Sequence, residues 1–167
     1  MTIQIVPLSR EHDRTQFSCG KAPLDNYIQK QVSQDIKRKL ATCFVITDDG
    51  NKVIGYYTLS SAGIPKNIVP EAIAKKMPRT YKELPVTLLG RLAIDQNHIK
   101  KGLGKVMLVS ALQKSLIAST ETVASMAVVV DPFDDEAKAF YEHFGFIPLR
   151  GSKRMFIPMA TIAQGFE

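Results

Sequence analysis

Cysteine is scarce here, and what little there is excludes two classes of protein. Cys19 and Cys43 stand far apart, with no His or further Cys at ligand spacing, so neither a disulfide framework nor a zinc site is indicated and no metal is expected. Histidine is nearly as sparse. His12, His98 and His143 have no partner at a useful spacing, and each reads as structural or exposed. No apolar run approaches the roughly 18 residues that a membrane-spanning helix needs, so no membrane span is expected. The N-terminus, MTIQIVPLSREHDR, lacks a basic leader and a long apolar stretch; no signal peptide is read there, and the cytoplasm is the default compartment. Internal repeats and low-complexity tracts are absent as well.

What is present suits one domain covering residues 1–167, with 45% hydrophobic and 23% charged residues. A chain of this length buries roughly 70% of its unfolded surface. The net charge is +6, and the excess is local: Lys37-Arg38-Lys39, then Arg79 and Lys82, then Lys100, Lys101 and Lys105. Such clusters favour a polyanionic partner, against the plainer alternative of a solvated face.

Hydrophobic spacing supplies the elements. Ile3 to Leu8 reads as a first strand, and Asp25 to Lys39 as a helix with Tyr27, Ile28, Val32 and Ile36 at helical intervals. Ala41 to Thr47 and Val53 to Ser60 flank the turn signal Asp48-Asp49-Gly50-Asn51, so an antiparallel hairpin is expected. The stretch from Pro65 to Lys82 is irregular, with a helical-looking Glu71 to Met77. Val86 to Ile94 is a strand, Gly102 to about Ser119 a long helix, and Ala124 to Val130 a buried strand. Asp134 or Asp135 caps a helix through Phe144, which Gly145 ends, and short strands follow near Phe146–Leu149 and Arg154–Pro158.

The most informative segment is GRLAIDQNHIKKGLGKVMLVSAL, Gly90 to Leu112. A strand runs through a short polar loop into a glycine-rich turn that opens a helix. The first turn of a helix leaves N–H groups unpaired at the positive end of its dipole, which is a seat for an anion. Gly102 and Gly104 allow close approach. Neither a P-loop nor a dinucleotide fingerprint fits, because Met107 occupies the third small-residue position and no Gly-Lys-Ser/Thr follows. Another pyrophosphate-bearing ligand is implied, although in isolation a lone Gly-x-Gly is also an ordinary helix start.

Together with Ala137-Lys138-Ala139-Phe140-Tyr141-Glu142-His143-Phe144-Gly145-Phe146, this pattern resembles the GNAT acetyltransferases. The resemblance implies an α/β GNAT fold: a mixed central β-sheet flanked by helices, with a splayed coenzyme-binding strand. It implies acetyl-CoA as cosubstrate, with Lys100, Lys101, Gly102, Leu103, Gly104 and Lys105 at its pyrophosphate and Leu92, Ala93 and Ile94 along its pantetheine arm. The family's phosphate motif usually opens with Gln or Arg, where this chain has Ile99 beside Lys100 and Lys101. Asp134 stands where many members carry Asn.

A narrower likeness covers most of the chain. Phe17-Ser18-Cys19-Gly20-Lys21-Ala22-Pro23-Leu24-Asp25-Asn26-Tyr27, Gly55-Tyr56-Tyr57-Thr58-Leu59-Ser60, Leu89-Gly90-Arg91-Leu92-Ala93-Ile94-Asp95 and Asp131-Pro132-Phe133-Asp134-Asp135 resemble the GNAT toxins of type II toxin–antitoxin modules. That group acetylates the amino group of aminoacyl-tRNA, which stops translation. The resemblance implies a ribbon-helix-helix antitoxin as partner and a homodimer. Tyr141 is then the general acid for the departing thiolate, suited by a phenol that stays protonated at neutral pH, with a packing tyrosine as the alternative. Lys37, Arg38, Lys39, Arg79 and Lys82 are candidates for the tRNA backbone, and Arg91 for the acceptor end or an acidic side chain. A backbone N–H on Leu92 to Ile94 is the candidate oxyanion donor. Asp95 and Glu142 are base candidates for which a surface or capping role is the stronger reading. Competing functions are acetylation of a small amine or a protein N-terminus, and a non-catalytic coenzyme-A-binding module.

Overall fold

The computed structural model describes residues 3–166, with Lys100 described in its backbone alone. Its sheet has seven strands in the order β1-β2-β3-β4-β5-β7-β6 among the described residues. β1 (Ile5–Pro7) pairs antiparallel with β2 (Thr42–Thr47), which pairs antiparallel with β3 (Val53–Pro65). The connecting turn is held by Asp48, whose carboxylate accepts the N–H groups of Gly50 at 2.9 Å and Lys52 at 2.8 Å. Asn51 takes a left-handed φ of 65°, a conformation that Asn tolerates well. β4 (Glu83–Ile94) runs antiparallel to β3, as the bonds from Asp95 N–H to Ile54 O and from Lys66 N–H to Lys82 O require.

Contacts divide the chain into two units, each made of two stretches: Met1–Ser60 with Gly90–Ala111, and Ser61–Leu89 with Leu112–Glu167. In the first unit, helical structure starts at Ala22, where Pro23 suits a first turn whose N–H groups have no partner anyway. α1 (Ala22–Asn26) passes into a π-helical segment, Tyr27–Gln31, and then α2 (Val32–Lys37). Tyr27, Ile28 and Val32 turn inward and join Phe17, Val45, Val53, Tyr56 and Ala93 in one core. Lys39 ends the run with a left-handed φ of 62°.

In the second unit, β5 (Ala127–Val130) is buried at all four residues, as expected of a strand paired on both edges. It pairs parallel with β4 over Thr87–Leu89 and antiparallel with β7 (Met155–Pro158), which β6 (Ile147–Pro148) flanks. Ile64, Val69, Leu84, Val86, Ala127, Val129, Leu149 and Phe156 form the core. The irregular stretch contains a short 3-10 turn at Lys66–Ile68 and α3 (Glu71–Ala74). It is pinned by Arg150, which donates its N–H to Ile68 O at 3.0 Å and its guanidinium to Val69 O at 3.2 Å. α4 (Leu103–Glu121), α5 (Asp135–His143) and α6 (Met159–Gly165) complete the chain. α6 was not expected from the sequence. No helix among the described residues is long and apolar enough to cross a membrane.

Candidate active site

β4 carries the first part of the site. Its register with β5 stops at Leu89, while the strand continues to Ile94. Gly90–Ile94 therefore run on without a β5 partner among the described residues, so their backbone is open to a ligand's amides on that edge. Ala93 is buried in the first core, so the backbone is what it can offer. Leu92 and Ile94 are half-buried.

The strand ends at Asp95, which is 2% exposed. Its carboxylate caps the following turn by accepting Asn97 N–H at 3.0 Å, and it also accepts Ser18 N–H at 3.2 Å. Gln96 N–H returns a bond to Ser18 O at 2.8 Å, so the Ser18 loop and the end of β4 are tied at two points. His98 Nδ1 lies 3.6 Å from Asp95 Oδ1 and is buried with no hydrogen-bond partner among the described residues. The expected polar loop is thus a 3-10 turn, Gln96–Lys101, closed by Gly102 in the left-handed conformation at φ 71°. A Cβ at Gly102 would meet nothing within 4 Å, so the backbone angle, not crowding, calls for glycine there.

α4 begins at Leu103, one residue after the expected start, and Val106 N–H bonds to Gly102 O at 3.3 Å. The N–H groups of Leu103, Gly104 and Lys105 precede that first intrahelical bond and form the open end of the helix. Leu103 buries its side chain, so only its N–H is available to an anion, whereas Lys101 and Lys105 are exposed around the turn. The side chain of Lys100 lies outside the described residues. Open N–H groups, a helix dipole and two free cations fit a pyrophosphate.

Tyr141 belongs to the second unit, on α5. Asp134 caps this helix by accepting Ala137 N–H at 2.9 Å, and Gly145 leaves it at φ 95°. The Tyr141 ring is buried against Phe140 at 5.3 Å and Phe146 at 5.2 Å between centroids. Its hydroxyl has no hydrogen-bond partner among the described residues. Burial pushes the phenol well above its ordinary range, so it stays a proton donor. Packing and acid chemistry are therefore compatible in one residue.

Of the two base candidates, Asp95 is a buried cap, and Glu142 is exposed with Lys138 Nζ at 3.9 Å. Lys37, Arg38 and Lys39 are exposed on the first unit, and Arg79 and Lys82 on the second. Arg91 is half-buried, and its guanidinium carbon sits 3.6 Å from the centroid of the Tyr27 ring. Sequence reasoning missed that stack and the Ser18 link. Both join residues far apart in the chain, and the only local signal was the Asp95-Gln96-Asn97 capping pattern.

A mixed sheet whose fourth strand outruns its parallel neighbour into a glycine-rich helix start is the architecture of an acyl-CoA-dependent acetyltransferase. The chain belongs to the GNAT acetyltransferases, whose acetyltransferase (GNAT) domain matches residues 39–148. Within that family it is similar to a tRNA-acetylating toxin of Mycobacterium tuberculosis, with 34% identity over 83% of this chain and 81% of that protein. It is 33% identical to a probable toxin TacT of Sinorhizobium fredii, over 95% of this chain and 92% of that one. Among solved structures, a Tyr-to-Phe mutant of KacT matches with a TM-score of 0.92 at 27% identity, covering 99% of this chain and 100% of that chain. AtaT complexed with acetyl-methionyl-tRNAfMet matches with a TM-score of 0.91 at 26% identity, again over 99% and 100%.

Proposed function

We propose that this chain is a toxin N-acetyltransferase that moves acetyl from acetyl-CoA to the α-amino group of aminoacyl-tRNA and thereby blocks translation. The observation that carries the reading is likeness in sequence to a tRNA-acetylating toxin over 83% of the chain and in structure to AtaT complexed with acetyl-methionyl-tRNAfMet over 99% of it. AtaTR bound with AcCoA is a further structural neighbour, with a TM-score of 0.85.

Acetyl-CoA supplies an activated acetyl group as a thioester. The chain's own part is binding, orientation and proton delivery. Leu103, Gly104 and Lys105 offer N–H groups to the pyrophosphate, with Gly102 shaping the turn and Lys100, Lys101 and Lys105 adding charge. Leu92, Ala93 and Ile94 pair with the pantetheine amides, and one N–H of this strand steadies the negative charge that develops on the acetyl oxygen. Tyr141 gives its phenolic proton to the departing sulfur. No dedicated base is required, because the electron-withdrawing ester lowers the basicity of the attacking amine. Lys37, Arg38, Lys39, Arg79, Lys82 and Arg91 take the tRNA backbone.

In this reading residues 1–167 form one GNAT domain, a view supported by β3, β4 and α4, each of which runs from one unit into the other. The protein works in the cytoplasm as a homodimer and is neutralised by a ribbon-helix-helix antitoxin. Antitoxin pairing is supported by a neighbour in which AtaT is bound to the C-terminus of the antitoxin AtaR. The deciding experiment incubates the protein with labelled acetyl-CoA and either charged or deacylated total tRNA. Label in the charged sample alone is expected; label in neither sample would reject the reading.

A further inference from the structure

Arg91 is placed in a way its partners do not explain. It is half-buried on β4, next to Leu92–Ile94, with its guanidinium carbon 3.6 Å from the centroid of the Tyr27 ring and its charge felt by Tyr56 beyond. No carboxylate or carbonyl among the described residues accepts from it. Stacking occupies the flat face of a guanidinium and leaves its five in-plane N–H donors free. The guanidinium nitrogens are not among the buried atoms left without a partner, so the fork stays open to solvent and to a ligand that can replace that solvent.

The ring beneath it is held from several sides. Tyr27 is 3% exposed, stacks near-parallel on Tyr56 at 6.3 Å, and donates its hydroxyl to Asp35 Oδ2 at 2.8 Å. It opens the π-helical segment, a widened turn of the kind often found at functional sites. Asp35 lies on α2, where its bond to the ring hydroxyl fixes the ring's orientation, and it makes no ion pair with the guanidinium.

We propose that Tyr27, locked by Asp35, is a positioning residue that presents the Arg91 guanidinium edge-on to a phosphate of the substrate tRNA. This rests on the tRNA-acetylation reading and adds to it the residue that orients the cation. A planar fork offering two parallel N–H bonds matches a phosphate, and a stacked, half-buried fork is already ordered before the substrate arrives.

The test compares Arg91→Gln, Tyr27→Leu, Tyr27→Phe and Asp35→Asn with the unaltered protein. Melting curves and circular dichroism confirm folding. Uncharged tRNA binding is measured from about 50 to 200 mM salt, alongside KM for charged tRNA and Kd for acetyl-CoA. Arg91→Gln is expected to raise KM for charged tRNA about tenfold and to flatten the slope of log K against log salt by about 0.7 to 0.9, one phosphate contact. Tyr27→Leu should flatten the slope similarly, Tyr27→Phe should flatten it in part because the aromatic face remains while the hydroxyl bond to Asp35 is lost, and acetyl-CoA affinity should not move. Should Tyr27→Leu fail to fold, Asp35→Asn carries the test through partial loss of slope.

An unchanged slope in Arg91→Gln would overturn the proposal, as would an effect confined to acetyl-CoA, which would assign the fork to a coenzyme phosphate. A flattened slope in Arg91→Gln with full slope in both Tyr27→Leu and Asp35→Asn would remove the positioning role of Tyr27. Failure of the tRNA reading looks different: the unaltered protein would then transfer no label to charged tRNA.

Discussion

Tyr141 combines a buried ring with a hydroxyl that no neighbour among the described residues claims. Tyr141→Phe leaves the aromatic packing intact and deletes only the hydroxyl that carries the proton, so acetyl transfer should fall about 10²- to 10⁴-fold while acetyl-CoA binding by calorimetry stays the same. The direction of its pKa shift also fixes a pH profile. Because burial raises the phenol above its usual value, it stays protonated as pH rises. The transfer rate should climb with deprotonation of the amine and then level off, with no falling limb below about pH 10. Gly102 supports a second comparison at this scale. Gly102→Ala meets no atom but must hold φ at 71°, and should cost about 1–2 kcal/mol in urea unfolding. Gly165→Ala, at the end of α6 with open space and no positive φ, should change stability by no more than about 1 kcal/mol, in the stabilising direction. Both glycines of the turn could be read from the sequence. That Gly102 belongs to the preceding 3-10 turn could not, because a left-handed angle is set by neighbours in space as well as in sequence.

The same division appears among the elements. Strands β2 and β5 and helices α4 and α5 lie close to where alternation, apolar runs and capping residues put them, since those signals are local, whereas β3 starts as expected at Val53 but runs five residues past Ser60, to Pro65. β4 begins earlier than expected, at Glu83, because pairing with β3 extends a ladder beyond its apolar residues. The helix expected over Asp25 to Lys39 starts instead at Ala22 and contains a π-helical turn, an insertion that a 3.6-residue template blurs. α6 offers only Met159 and Ile162 as buried residues, too few for a periodic signal. Asp95 belongs at this scale, because it joins one element to another. Asp95→Ala strands the N–H groups of Ser18 and Asn97 and should cost about 2 kcal/mol or more, read as a lower urea midpoint at unchanged slope. Asp95→Asn, which keeps one acceptor oxygen, should lose about half of that.

At the scale of the whole molecule, the net charge of +6 becomes a salt dependence. If Lys37, Arg38, Lys39, Arg79, Lys82 and Arg91 each neutralise a phosphate, tRNA affinity should drop by about three decades between roughly 50 and 200 mM salt, and a flat dependence would return those cations to the role of a solvated surface. Neither unit of the fold is a continuous stretch of chain. The first waits for Gly90–Ala111, and the second needs Met155–Pro158 to pair with β5. The half that bears Tyr141 is thus completed only once Met155–Pro158 has paired with β5. A chain that stops short of Met155 lacks the strand that covers one edge of β5, so acetyl transfer is expected only from chains that extend through Pro158.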